Sequence, residues 1–178
     1  MYRDHLELME IGVNSKVFYP SHGAGQIVKE KKIEFAGETK RYFEFSFLNK
    51  KLTISTPVQN IGKLGIRTVL PIEDILQQIK LLKKKPALDP QTKDYNELMN
   101  KIQELDQKGE VASFVEIIQY ANFEKIYRNN EGRLIPVSIT KFIKSSVEHI
   151  VSEMAVSQGI SYDDAAKQFT ATTGLETV

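Results

Sequence analysis

Residues 41–48 read Arg41-Tyr42-Phe43-Glu44-Phe45-Ser46-Phe47-Leu48. Phe43, Phe45 and Phe47 fall on one side of an extended chain, and Tyr42, Glu44 and Ser46 on the other. That period of two is the mark of a half-buried β-strand. Working outward, Lys16-Val17-Phe18-Tyr19 is a short apolar strand that Pro20 ends. Gln26 to Phe35 is a more mixed strand, with Ile27, Ile33 and Phe35 as its inward candidates. Ala36-Gly37-Glu38-Thr39 reads as a hairpin turn in which Gly37 is free to take positive φ. Asn49-Lys50 is a second turn, Leu52-Thr53-Ile54-Ser55 alternates again and stops at Pro57, and Ile66 to Leu70 is a last short strand. Short strands with hairpin turns and no helix between them pair antiparallel. Five of them cannot hide both faces as a flat sheet, so the pattern predicts a small barrel.

After Pro71 the period changes. Ile72, Ile75, Ile79 and Leu82 recur at helical spacing, and Lys83-Lys84-Lys85-Pro86 closes the helix. Residues 86–93 read as a loop. Leu98, Ile102 and Leu105 mark a second helix that ends near Gly109. Val111 to about Tyr127 is a third, and Asn129-Asn130-Glu131-Gly132 is a turn. Pro136 starts a fourth helix that stops at Gly159. Ser161-x-x-Asp164 is a capping box opening a fifth, which ends near Gly174. The expected fold class is α+β by chain: a five-stranded antiparallel Tudor-like β-barrel over residues 1–71, then an all-α helical bundle over residues 72–178.

The 178 residues are 41% hydrophobic and 26% charged, an ordinary globular balance. With no cysteine, disulfides, thiol nucleophiles and cysteine-ligated zinc are excluded. The first ten residues carry acids throughout and do not read as a signal peptide. No run of 18 apolar residues suits a membrane span, so a cytoplasmic chain is expected. His5, His22 and His149 have no metal-ligand spacing, and no nucleotide loop or nucleophile elbow occurs. Gly23-Ala24-Gly25 follows a strand but opens no helix, so it is no dinucleotide site. Neither an enzyme nor a bound metal or cofactor is expected. The net charge of +1 is low for a protein held to nucleic acid by phosphate contacts alone. Any DNA contact then needs a partner that supplies most of the affinity.

Val17-Phe18-Tyr19-Pro20-Ser21-His22-Gly23-Ala24-Gly25-Gln26-Ile27 resembles the opening motif of the CarD family, which shares this domain with the transcription-repair coupling factor. Gly37 falls at the family's hairpin glycine, and Leu52-Thr53-Ile54-Ser55-Thr56-Pro57 is similar to its proline-ended strand. Asn60 and Gly65-Ile66-Arg67 follow in the family's order. The resemblance covers residues 11 to 70 well and continues more weakly at Gly109-Glu110-Val111 and Glu153-Met154-Ala155. From the residues alone, the loop Tyr19 to Gly25 reads as a shaped turn with no further role in preference to a functional loop.

The resemblance implies a monomeric bacterial regulator of transcription initiation, cytoplasmic and on the nucleoid when bound to polymerase. Its barrel would pair an edge strand with the lobe and protrusion region of the RNA polymerase β subunit. The matching strand is Lys51, Leu52, Thr53, Ile54, Ser55, Thr56 and Pro57, with Ile33 on the same binding face. Edge or interior placement of this strand is open on pattern alone. Some relatives carry arginines where Ile33 and Ser55 stand, which puts charge-assisted contacts there in doubt. The helical domain would touch promoter DNA, weakly and without sequence preference, at the upstream edge of the melted bubble. Relatives wedge a tryptophan there; this chain has none, and Tyr95 is the nearest aromatic. Tyr95 suits either a wedge or plain packing. Lys93, Lys101, Lys141 and Lys144 are candidate phosphate contacts or simply solvated lysines. The other functional class compatible with these residues is a small-barrel adaptor that binds another protein or RNA without polymerase.

Overall fold

A computed structural model describes residues 11–35, 37–48, 50–83 and 94–177, with the side chains of Phe35, Lys50 and Lys51 outside that description. Five strands come first: β1 (Lys16–Tyr19), β2 (Gly23–Phe35), β3 (Glu38–Phe47), β4 (Lys50–Pro57) and β5 (Arg67–Thr68). Five helices follow: α1 (Ile72–Ile79), α2 (Tyr95–Lys108), α3 (Val111–Asn130), α4 (Val137–Gln158) and α5 (Tyr162–Thr173). The chain is α+β, as its change of period predicts. The expected loop at 86–93 and the turn residues Ala36 and Asn49 lie outside the described residues.

The sheet is antiparallel with order β4-β3-β2-β1-β5. It is an open, curled sheet rather than a closed barrel, since β4 and β5 are its two edges. With only two residues, β5 is too short to close a ladder, and Ile61 and Ile66 from the β4–β5 connection fill the core instead. Phe43, Phe45 and Phe47 face that core with Val17, Tyr19 and Ile27, as their alternation requires. Ile33 departs from expectation: it is 43% exposed. A bulge between Ile27 and Lys29 inserts Val28 into β2, which reverses the facing of every residue beyond it.

The helices end where cap chemistry says they should. Asp94 accepts a bond from the Asn96 amide, and Ser161 from the Asp164 amide. Gly109 and Gly159 close α2 and α4 in the left-handed region, at φ 64° and 72°.

Strand β1 is buried on both faces, and this joins the two halves. Val17 and Tyr19 enter the sheet core, while Phe18 enters the helical core beside Phe114, with ring centroids 5.7 Å apart. The Ala24 amide donates to Ser152 Oγ on α4 at 3.1 Å. A Cβ on Gly25 would lie 2.3 Å from the Ser46 carbonyl, so only glycine fits. Arg67 donates to both carboxylate oxygens of Glu153 at 2.6 and 2.8 Å, and twice to the Gly109 carbonyl at 3.1 and 2.9 Å. Glu153 is fully buried and also accepts the Leu70 amide at 2.9 Å. The Arg67 guanidinium lies 4.6 Å from the Phe18 ring centroid.

Removing one partner of such a pair leaves a buried charge without compensation, at a cost of about 3–5 kcal/mol. Arg67→Ala is therefore expected to lower unfolding stability by that amount in urea titration. Arg41→Ala, which removes an exposed pair with Glu30, is expected to change it little.

Candidate functional site

Two surfaces are set up by this frame. The first is the edge strand β4. Its residues pair with β3 in the register Phe43↔Thr56, Glu44↔Ser55 and Phe45↔Ile54, and among the described residues no strand lies on its other side. At the opposite edge, Arg67 of β5 forks onto Glu153 of α4, which also accepts the Leu70 amide just beyond the strand. Helix α4 packs on β1 and β2, away from β4. An edge strand such as β4 presents a row of outward backbone N–H and C=O groups, and among the described residues no strand takes them up. The question of edge or interior for Lys51 to Pro57 resolves as edge.

Side chains along β4 divide by face. Thr56 is buried and Ile54 half-buried over the sheet core, whereas Thr53 and Ser55 are exposed. Leu52 is 44% exposed, and Pro57 is half-buried at the strand's end. The backbone of Lys51 lies in β4, but its side chain is outside the description. Opposed residues share a face, so Ser55 lies with Glu44, Tyr42, Lys40 and Ile33. The bulge at Val28 brings Ile33 to this face, and the Lys31–Glu44 ion pair lies between Ile33 and Ser55. On the other face of the hairpin, the hydrogen bond from Arg41 holds the Glu30 carboxyl below its ordinary range.

The second surface is the end of the bundle where α2 and α4 both begin. Tyr95 opens α2 half-buried. Its hydroxyl is 2.7 Å from Ser138 Oγ in the first turn of α4, and the Arg128 guanidinium lies 4.9 Å from its ring centroid. Arg128 also pairs with Glu124 and donates to the Leu134 carbonyl at 3.3 Å. Lys101, Lys141 and Lys144 are exposed near the starts of α2 and α4, and Lys93 lies outside the described residues. Structure therefore brings Tyr95 and Lys141 to one end. What sequence reasoning missed there is a set of exposed apolar residues, Leu134 and Val137 foremost. Their signal was a Leu-Ile-Pro-Val run in which only Ile135 packs inward.

The histidines are placed by packing. The His22 ring meets Tyr19 at 4.9 Å and Phe47 at 5.5 Å, and His149 meets Phe114 at 4.9 Å. No group of three or more His, Asp or Glu side chains arranged to hold a metal occurs among the described residues.

Residues 12–70 match the family model described as the CarD-like/TRCF RID domain. The chain is also similar to a protein of Bacillus subtilis (strain 168) named "Putative transcription factor YdeB". The two are 25% identical over 159 residues, spanning 86% of this chain and 95% of that relative.

The Tyr95–Ser138 bond predicts a measurable packing role. Tyr95→Phe is expected to lower unfolding stability by about 0.5–1.5 kcal/mol, the net worth of one such bond, in denaturant titration.

Proposed function

We propose, from the match of residues 12–70 to the CarD-like/TRCF RID domain, that the chain regulates transcription initiation by docking its β4 edge on RNA polymerase. The observation that carries this reading is the place of β4 at an edge of the sheet, with no strand on its outer side among the described residues. An exposed strand of the polymerase β subunit, in its lobe and protrusion region, adds to β4 as a sixth strand. Main-chain hydrogen bonds supply affinity, and Thr53, Ser55 and Ile33 line the face beside the incoming chain. All three are uncharged, so docking here relies on backbone pairing and shape rather than on arginine contacts.

The helical end then meets promoter DNA at the upstream edge of the bubble. Tyr95 and Lys141 belong to that end, and Lys101 and Lys144 follow along α2 and α4 as further candidate phosphate contacts. With a net charge of +1 the chain binds duplex weakly by itself. Tethering to polymerase raises its effective concentration at the promoter enough for a weak surface to act. The Arg67–Glu153 seam holds the bundle at a set position relative to β4, so docking at one edge fixes where the other end points. A preference of about 1.4 kcal/mol for open over closed DNA shifts that equilibrium tenfold. The protein acts as a monomer in the cytoplasm, at the nucleoid when bound to polymerase. No catalytic step is assigned to it.

A pull-down on the isolated polymerase β lobe tests the docking. Wild-type protein is expected to be retained. Of Thr53→Pro and Ile54→Pro, the variant that keeps its melting temperature has lost only an outward N–H, and it is expected to be released. Equal retention of wild type and both variants, or no retention of wild type, contradicts the reading.

A further inference from the structure

The loop from Tyr19 to Gly25 belongs neither to the β4 edge nor to the far end of the bundle. Of its residues only Ser21 is exposed. The others meet three parts of the molecule. Tyr19 and His22 pack against Phe47 of β3, with ring centroids 6.1 and 5.5 Å away. Pro20 lies against the turn between α2 and α3, where a Cβ on Gly109 would come within 3.0 Å of its ring. Gly23 and Ala24, at the start of β2, lie against α4. With φ at 89°, Gly23 sits so close that a Cβ there would stand 3.0 Å from Ser152 Oγ. The Ala24 amide donates to that same oxygen at 3.1 Å.

Ser152 is only 3% exposed, and its hydroxyl works in both directions. It accepts from Ala24 and donates to the His149 carbonyl at 2.8 Å. The next residue of α4, Glu153, holds Arg67 of β5. In the sheet, β1 lies between β2 and β5. Consecutive helical residues point about 100° apart around the axis. Ser152 and Glu153 therefore reach strands on opposite sides of β1. A single attachment is a pivot about which a helix can rock over a sheet. Two attachments, one on each side of the strand beneath, remove that freedom.

We infer that Ser152 is a positioning residue that, with Glu153, forms a two-point mount fixing the tilt of α4 on the sheet. The Tyr19–Gly25 loop is the sheet's half of this mount. Glycine at 23 is what lets the Ala24 amide come down onto the hydroxyl, and an unmade bond at this buried amide would carry its full desolvation penalty. Because α4 runs to the far end of the bundle, its tilt sets where that end lies relative to β4. The consequence for transcription rests on the polymerase-docked reading above; the mount itself does not.

The test uses the full chain, which has no cysteine of its own. Two are introduced and spin-labelled at the exposed positions Ser55 on β4 and Lys141 on α4, and pulsed electron resonance reads the distance between them. One narrow distribution is expected with Ser152 in place. Ser152→Ala is expected to lower the melting temperature and to broaden and shift the distribution. Gly23→Ala, which keeps the hydroxyl but forces it and the loop apart, is expected to do the same. Thr173→Ala removes another buried hydroxyl, one bonded to the Phe169 carbonyl within α5, and is expected to leave the distribution narrow. A broad distribution with Ser152 in place overturns the inference. So does an unchanged one in whichever of the two seam variants is folded, or equal broadening in Thr173→Ala. On polymerase holoenzyme with promoter DNA, Ser152→Ala is expected to be retained like wild type but to lose its effect on open-complex lifetime. A retained variant with the full effect overturns the coupling of tilt to transcription. Wild-type protein that is not retained overturns the docking reading, while the distances, read on the free chain, still decide the mount.

Discussion

The ion pair between Arg67 and Glu153 is the interaction on which the arrangement of this protein depends. It brings a two-residue strand and the middle of α4 together across 86 residues of chain. A fully buried carboxylate is costly to desolvate, and here every available bond offsets that cost. Arg67 forks onto it, the Leu70 amide adds a third bond, and the carbonyls of Gly109 and Thr68 take the remaining guanidinium hydrogens. Phe18 lies under the same guanidinium and belongs to the helical core, although its strand belongs to the sheet. The core therefore crosses residue 71, and the sheet and helices share it.

The same pair ties one edge of the sheet, β5 and the Leu70 that follows it, to α4. Helix α4 covers β1 and β2 and leaves β4 clear. An edge strand left clear is a hazard that proteins usually blunt, and β4 is blunted in modest ways: two lysines at its start and a proline at its end. Those devices discourage association with copies of itself while leaving the middle of the strand able to pair.

How much of this was legible follows the range of the interactions. Helix ends at Gly109, Gly159 and Ser161 were readable because capping is settled within a few residues. β1 was readable to the residue because Pro20 ends it; the alternating phenylalanines located β3, but Glu38 and Thr39, read as turn, already pair in it with Phe35 and Glu34. The bulge at Val28 was not, since it exists only in the register between two strands, and so Ile33 was placed facing inward when it faces out. Five strands suggested closure, but the extent of β5 is fixed by tertiary contacts, and the sheet stays open. Arg67 and Glu153 stood out only as matches to a family pattern, and Gly109 as that and as a helix end. Nothing in their spacing reveals that they meet. Tyr95 was singled out only as the aromatic nearest to the family's wedge position, and its orientation depends on Ser138 and Arg128, far along the chain. Leu134 went unremarked because an apolar residue near a helix start reads as core until its exposure is known.

Amide hydrogen exchange on the chain with and without the polymerase β lobe tests the open-edge claim most directly. The account predicts slowed exchange confined to alternate amides of residues 51–57, those that point away from β3, with the α4 seam unchanged. Slowing that is absent from β4, or that falls on β1 or the helices instead, would contradict it.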